Sequence, residues 1–153
     1  MLRMKPVSPK YNSMTLEDLK NEAIHWRFTK YKLINLSIGR SALLFCEFVG
    51  RPYYRPYIYA HKIYDFHIAD TLGNSLGTIA AIFIPIGLLT NDKTHGYSLI
   101  KLLTASVVIY EIGQPLLGKP IDFWDILATL VSGGIGFFLF KWLFGPSAEI
   151  GTN

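Results

Sequence analysis

The residues best suited to chemistry lie at the start of the last apolar stretch of the chain. Asp122 and Asp125 stand there, and Glu111 and Gln114 precede them across a short turn that contains Lys119. Carboxylates beside a membrane span are costly unless they are paired or hydrated. These acids can act as a general acid and base, recognise a ligand, or stabilise the N-terminus of the last helix.

The last apolar stretch, Ile126 to Phe144, has roughly the 20 residues that a bilayer crossing requires. Polar and small residues recur along it at helical spacing, which places them on one stripe of a helix. They are Asp122, Asp125, Thr129, Ser132 and Gly136. The opposite face is apolar and predicts contact with lipid through Leu127, Leu130, Phe137 and Phe138. We therefore expect any functional site to lie on the polar stripe.

Catalytic patterns are weak in this sequence, because no nucleophile–base pair and no metal-ligand spacing stands out. The histidines are scattered over arms and loops, where a solvated or hydrogen-bonded role is simplest: His25, His61, His67 and His95. We expect no catalytic residue, no metal ligand and no cofactor. Ligand recognition and a structural role for the acids both stay open, and a membrane enzyme acting on lipid head groups is a further alternative.

The composition predicts a single all-α domain in a membrane. Half of the 153 residues are hydrophobic and 17% are charged, whereas a soluble domain usually carries about 25% charged residues. Three apolar runs are long enough to span a bilayer and form a predicted core over residues 70–144: Asp70–Thr90, Ser98–Leu117 and Ile126–Phe144. On the first run Gly77 shares a face with Asn74, and its small size permits close helix approach.

A fourth span over residues 33–49 is the favoured interpretation of an ambiguous segment. The segment is long enough to cross a membrane but contains Arg40 and Glu47. These two charges share a helix face, so a spanning helix must turn them towards partners. The alternative is a helix half-sunk in the interface. The expected fold is thus a polytopic helical bundle of three clear spans, with this segment as the fourth.

Residues 50–69 are rich in tyrosine, arginine and proline, and we expect them to form an interfacial loop because prolines interrupt helices. Tyrosine and tryptophan combine an apolar ring with a polar tip and suit the membrane–water boundary. The predicted interface anchors are Tyr53, Tyr54, Tyr57, Tyr59 and Trp142. A docking surface for another protein is an alternative. Stacking on single-stranded nucleic acid is much less favoured.

Residues 1–32 are predicted to form a basic arm and an amphipathic interfacial helix that starts near Thr15 and ends near Lys30 and Lys32. Most basic residues of the chain precede residue 63. The positive-inside rule explains this asymmetry by a cytoplasmic N-terminus. We expect the arm to meet membrane lipids and not nucleic acid. Residues 145–153 form a short tail.

The order of residues in the last three spans resembles that of the VanZ-like family. The matching parts are Asn74, Phe83-Ile-Pro-Ile-Gly87, Glu111-Ile-Gly-Gln114, Lys119, Asp122, Asp125 and Gly136. The family consists of all-helical bacterial membrane proteins, and its best-known members are linked to low-level glycopeptide resistance. The resemblance implies a non-catalytic protein of the bacterial inner membrane that recognises an amphiphilic or envelope ligand at one membrane face.

The predicted polar cluster either binds that ligand or stabilises the bundle. It comprises Asp70, Asn74, Glu111, Gln114, Lys119, Asp122, Asp125 and Thr129. Lys119 stands where the family usually has arginine, so the guanidinium that can donate two parallel hydrogen bonds is lost. Thr129 stands where the family usually has asparagine, so the amide with its paired donor and acceptor is lost. These departures favour the alternative of a small accessory subunit that stabilises a larger membrane protein complex.

Overall fold

The structure is a computed structural model that describes residues 16–17, 20–21, 28–91 and 93–145. The described part is helical, and four helices in it are long and apolar enough to cross a membrane. They are α1, Lys30–Ala60; α2, Ile68–Leu89; α3, Lys93–Gly113, which a 3₁₀ turn extends over Gln114–Leu117; and α4, Phe123–Phe144. The predicted all-α bundle is confirmed. Residues 33–49, the segment predicted as an additional span, lie inside α1. The chain is a multi-pass membrane protein.

Helix α1 continues through the proline-rich segment, so the predicted loop is wrong for residues 50–60. The helix is α-helical over Lys30–Phe45, π-helical over Cys46–Tyr54 and α-helical again over Arg55–Ala60. A proline ring clashes with the carbonyl four residues earlier in an α-helix, and the wider π turn shifts the hydrogen-bonding pattern by one residue. Pro52 lies inside the π segment. Pro56 lies in the α-helical segment that follows directly.

The start of α1 differs from the sequence prediction as well. Thr29 caps the helix by accepting a hydrogen bond from the Lys32 backbone. Lys30 and Lys32 therefore open a spanning helix and do not close an amphipathic one. The side chain of Lys32 is fully buried. The predicted amphipathic helix lies mostly outside the described residues, of which Leu16, Glu17, Lys20 and Asn21 are helical.

The helices run alternately up and down, and α2 packs against the other three. Two membrane faces result. The loop 61–67 and the turn 118–122 lie at one end of the bundle, which we call the acidic rim. The start of α1, the turn between α2 and α3 and the end of α4 lie at the opposite end, which we call the terminal rim.

The apolar core occupies the half of the bundle next to the terminal rim. Its buried residues are Ile82, Phe83, Ile86, Leu99, Ile100, Phe140 and Phe144. Tyr31 joins α1 to this core through edge-on ring contacts with Phe140 and Phe144. Tyr31 also shares a hydrogen bond with Thr90. A polar cavity lies in the half next to the acidic rim.

Close approach of α1 and α2 depends on glycines. A Cβ added at Gly39 would lie 2.7 Å from a side-chain carbon and 2.9 Å from the backbone nitrogen of Ile84. At Gly87 a Cβ would lie 2.7 Å from Leu36. The predicted close helix approach at Gly77 is wrong, because nothing lies within 4 Å of a Cβ added there.

The polar stripe of α4 faces inward as predicted. Thr129, Ser132 and Gly136 are buried, whereas the opposite face exposes Leu127, Leu130 and Phe138. Phe137 departs from the prediction, because it is half-buried and its ring lies 5.6 Å from that of Tyr97.

Candidate functional site

A cavity of about 260 Å³ opens near the acidic rim and is lined mainly by polar atoms. Helix α1 contributes Gly50, Arg51 and Arg55 from its π segment and the turn that follows. Helix α2 contributes Ala69, Asp70, Leu72, Gly73 and Asn74, and α4 contributes Asp125. The cavity therefore joins guanidinium, carboxylate and amide groups from three helices.

Of the carboxylates on the cavity wall, Asp70 has the most polar partners. It accepts a short hydrogen bond from the Tyr59 hydroxyl, and the Arg55 guanidinium lies 4.0 Å from it. His67 Nδ1 contacts the other carboxylate oxygen at 3.1 Å. Arg55 Nε in turn donates to the Tyr59 hydroxyl at 2.9 Å. This network ties the end of α1 to the first turn of α2, and it satisfies Asp70 without a ligand.

His67 also connects the network to α4. Its ring stacks on that of Trp124, with centroids 4.7 Å apart and an interplanar angle of 18°. The residue adopts a left-handed backbone conformation with φ of 63°, which is uncommon for a residue other than glycine. The loop that holds it has two more such residues, Lys62 and Phe66. Backbone strain of this kind clusters at functional sites.

Asp65, just before the start of α2, holds the same loop in place. One carboxylate oxygen accepts hydrogen bonds from the Ala69 backbone at 2.7 Å and from the Tyr54 hydroxyl at 3.1 Å. Two carboxylates therefore tie this region to α1, Asp65 in the loop and Asp70 in the first turn of α2.

Asp125 is the carboxylate that this network leaves available. It lines the cavity beside Asn74, and it interacts electrostatically with Asp122, Asp70 and Arg55. It forms no ion pair with any residue that the structure describes. Asn74 lies close enough to interact with it, yet the buried Asn74 Nδ2 has no well-formed hydrogen bond within the described part of the chain. A carboxylate and an amide without full partners therefore share this wall.

The other predicted acids have separate tasks. Glu111 is 4% exposed and accepts a short hydrogen bond from Gln114. Lys119 is exposed in the turn and interacts with Glu111. Asp122 caps α4 by accepting a hydrogen bond from the Trp124 backbone at 2.8 Å. None of these residues lines the cavity.

Thr129 lies deeper, one turn below Asp125. Its side chain is fully buried, and its hydroxyl has no hydrogen-bond partner in the described residues. Thr129 does not line the cavity. Of the predicted polar cluster, the structure thus brings Asp70, Asn74 and Asp125 together at one surface.

The predicted interface anchors divide into two groups. Tyr53, Tyr57 and Trp142 are exposed, as an interfacial role requires. Tyr54 donates a hydrogen bond to Asp65 of the loop, and Tyr59, which is also exposed, donates one to Asp70 of the cavity wall.

The sequence interpretation missed Arg51, Arg55 and His67 as site residues. The spacing of His67 and Asp70 at the start of a helix was a usable signal, since residues three apart share a helix face. The arginines carry no such signal, because the prolines that follow them indicate a loop.

Metal chemistry receives no support from the geometry. Within residues 16–17, 20–21, 28–91 and 93–145, no group of three histidine, cysteine, aspartate or glutamate side chains is placed to hold a metal ion. No family model, curated protein or solved structure matches the chain.

Proposed function

We propose that this chain is a non-catalytic membrane protein whose cavity at the acidic rim holds the polar head of an amphiphile. The observation that carries the proposal is the pairing of Asp125 and Asn74 on one cavity wall, where a half-buried carboxylate without an ion pair in the described residues lies beside a buried amide nitrogen. The amide nitrogen needs a partner, since a buried polar group is costly when unsatisfied, and the half-buried carboxylate keeps capacity to accept from a ligand.

The size and charge of the cavity favour a zwitterionic head group. A volume of about 260 Å³ is below the range of about 300–1,000 Å³ for pockets that enclose a whole drug-sized ligand. It suits a head group whose acyl chains remain in the bilayer. An amine would meet Asp125, and a phosphate would meet Arg55 and the Asn74 amide. Phosphatidylethanolamine has both groups and is the natural probe.

The membrane orientation follows from the distribution of charge. With four spans, the terminal rim lies on the same side of the membrane as the N-terminus, and the acidic rim lies on the opposite side. The positive-inside rule favours a cytoplasmic N-terminus, because the N-terminal residues are basic. The acidic rim then faces outward in the bacterial inner membrane. The VanZ-like resemblance supports the same function, an envelope or amphiphilic ligand recognised at this face.

Asp125→Asn tests this function, and Asp122→Asn is its matched control. Both changes remove one negative charge from the start of α4, but only Asp125 lines the cavity. Asparagine caps a helix nearly as well as aspartate, so the control should fold. Native mass spectrometry would compare retention of phosphatidylethanolamine and phosphatidylglycerol by each protein.

We expect Asp125→Asn to bind phosphatidylethanolamine at least about tenfold more weakly, because a charge-assisted hydrogen bond contributes about 1.5–3 kcal/mol. Asp122→Asn should behave as the wild type. Equal retention of phosphatidylethanolamine by both variants would reject the cavity as its site.

An accessory-subunit function is the second candidate, and Arg40 favours it. Arg40 is exposed on α1, ten residues after Lys30, which places it about 15 Å along the helix. Charges at such depth are rare unless they are paired, and Arg40 has no ion pair within the described residues. Purification in mild detergent would test for a stoichiometric protein partner. Arg40→Gln should lose that partner and Lys30→Gln should keep it, whereas a lone chain would reject this function.

A further inference from the structure

Glu47 and Arg51 form an ion pair on α1 directly beside the polar cavity. Arg51 Nη1 lies 3.1 Å from one carboxylate oxygen of Glu47 and 3.3 Å from the other. Arg51 lines the cavity, whereas Glu47 does not. The pair therefore connects a cation on the cavity wall to a carboxylate outside the cavity.

Close contact between α1 and α2 fixes where the guanidinium of Arg51 lies. A Cβ added at Gly50 would lie 2.5 Å from a methyl carbon of Leu72, and a Cβ added at Gly73 would lie 3.9 Å from Arg51 Nη2. Because glycine has no side chain, the guanidinium can approach the backbone of α2 at this point. Arg51 thus pairs with Glu47 through Nη1 while Nη2 lies beside Gly73 on the cavity wall.

The ion pair lies on the outer surface of α1, below the acidic rim. Arg51 is level with Gly73, which follows the first residue of α2 by about 8 Å of helix. Both side chains of the pair are exposed, on a helix that is long and apolar enough to span a membrane. A surface ion pair contributes little in water, but the attraction strengthens where lipid replaces part of the water. We therefore expect Glu47 to hold Arg51 in this position.

The charges of the cavity lining cancel, and Glu47 changes this balance. Arg51 and Arg55 are the cations of the lining, and Asp70 and Asp125 are its carboxylates. Arg55 already lies 4.0 Å from Asp70, and Arg51 is paired with Glu47. The two arginines thus face three carboxylates, and the excess negative charge is that of Asp125. Such a site favours an ammonium group and disfavours a lipid of net negative charge.

We propose that Glu47 sets the lipid selectivity of the cavity by neutralising Arg51. This inference rests on the proposed head-group function, and it names the residue that makes the cavity prefer a zwitterionic to an anionic head group. Glu47 is a positioning residue, because it acts through Arg51 and does not line the cavity. Without the Glu47 carboxylate, Arg51 is available to a lipid phosphate and the excess negative charge disappears. Phosphatidylglycerol then competes with phosphatidylethanolamine.

The test is a competition between these two lipids for the full chain, in nanodiscs that contain equal amounts of both, read by native mass spectrometry. Glu47→Gln keeps the shape of the side chain and removes its charge. Asp122→Asn is the matched control, because it removes a carboxylate at the same rim that does not line the cavity. Arg51→Gln and the double variant Glu47→Gln/Arg51→Gln complete a double-mutant cycle. Both positions of the pair are exposed, and melting temperatures check that each variant folds.

We expect the ratio of retained phosphatidylglycerol to phosphatidylethanolamine to rise at least about fivefold in Glu47→Gln, because a charged donor becomes available to the phosphate. Asp122→Asn should keep the wild-type ratio. In the Arg51→Gln background, adding Glu47→Gln should shift the ratio by less than about twofold, because the cation through which Glu47 acts is absent.

Two kinds of failure are distinguishable. An unchanged ratio in Glu47→Gln, while the wild type still retains phosphatidylethanolamine, would overturn the selectivity role alone. An equal rise in Asp122→Asn, or in the double variant relative to Arg51→Gln, would do the same, because the effect would then not pass through the ion pair. A wild-type protein that retains neither lipid would reject the head-group function and, with it, this inference.

Discussion

Asn74 and Asp125 line one cavity from two different helices, and their side chains interact electrostatically. The neighbouring carboxylate of Asp70 already has Tyr59, His67 and Arg55 as partners. Asp125 therefore differs from its neighbours in having capacity for a further hydrogen-bond donor. This contrast between the saturated carboxylate of Asp70 on α2 and the available carboxylate of Asp125 on α4, which line the same cavity, is the basis of the proposed head-group site.

The contact of α1 with α2 should depend on Gly39. We expect Gly39→Ala to destabilise the protein by about 1–3 kcal/mol, because the added Cβ meets the Ile84 backbone and the contact cannot relax cheaply. Gly77→Ala is the control, since its Cβ would meet nothing within 4 Å. It should be neutral or stabilising by up to about 1 kcal/mol. Unfolding in detergent measures both, and equal melting temperatures would contradict this packing.

The hydrogen bond from Tyr59 to Asp70 should hold the loop 61–67 in place. Tyr59→Phe removes the hydroxyl that both Arg55 and Asp70 contact, and we expect a loss of about 1 kcal/mol in local stability. Hydrogen–deuterium exchange of residues 61–67 should rise, whereas Tyr53→Phe, which alters an exposed ring, should leave it unchanged. Unaltered exchange in Tyr59→Phe would show that the loop is held by other contacts.

The buried hydroxyl of Thr129 should be dispensable. Thr129→Val has nearly the same shape and removes a polar group that lacks a hydrogen-bond partner among the described residues. We expect the melting temperature to stay constant or rise, with a gain of at most about 1 kcal/mol. Binding of phosphatidylethanolamine should not change, because Thr129 does not line the cavity. A marked loss of binding would extend the site down the polar stripe.

The four-span topology places the loop 61–67 and Lys93 at opposite membrane faces. In a Cys46→Ser background, Tyr64→Cys should react with a membrane-impermeant maleimide added to intact bacterial cells. Lys93→Cys should react only after the cells are permeabilised. Both positions are exposed, so access alone does not distinguish them. Labelling of both from the same side would mean that α2 does not cross the membrane.

The helical bundle was predictable because its main signal is local. Long apolar runs with few charges predict three of the four spans, and the inward stripe of Thr129, Ser132 and Gly136 follows from helical spacing alone. The same holds for the Asp122 cap, which needs only a carboxylate before the first turn.

The cavity could not be predicted because it depends on how α1 passes its prolines. Pro52 indicated a loop, and only the π-helical turn keeps Arg51 and Arg55 on a helix beside α2. The different tasks of Glu111 and Asp125 also escaped prediction, since both are acids near one membrane face. Glu111 has a local partner, Gln114, three residues along the chain. That Asp125 faces a cavity formed with α1 and α2 is a tertiary fact, which local spacing does not give.

The most direct measurement is the distance between the Asp125 carboxyl carbon and the amine nitrogen of bound phosphatidylethanolamine. Solid-state NMR with ¹³C in the protein and ¹⁵N in the lipid gives this distance in a bilayer. A contact of about 4 Å, the separation of an ion pair, is expected in the wild type and should vanish in Asp125→Asn. A wild-type protein that shows no such dipolar coupling, while still retaining the lipid, would place the head group elsewhere and contradict the proposed site.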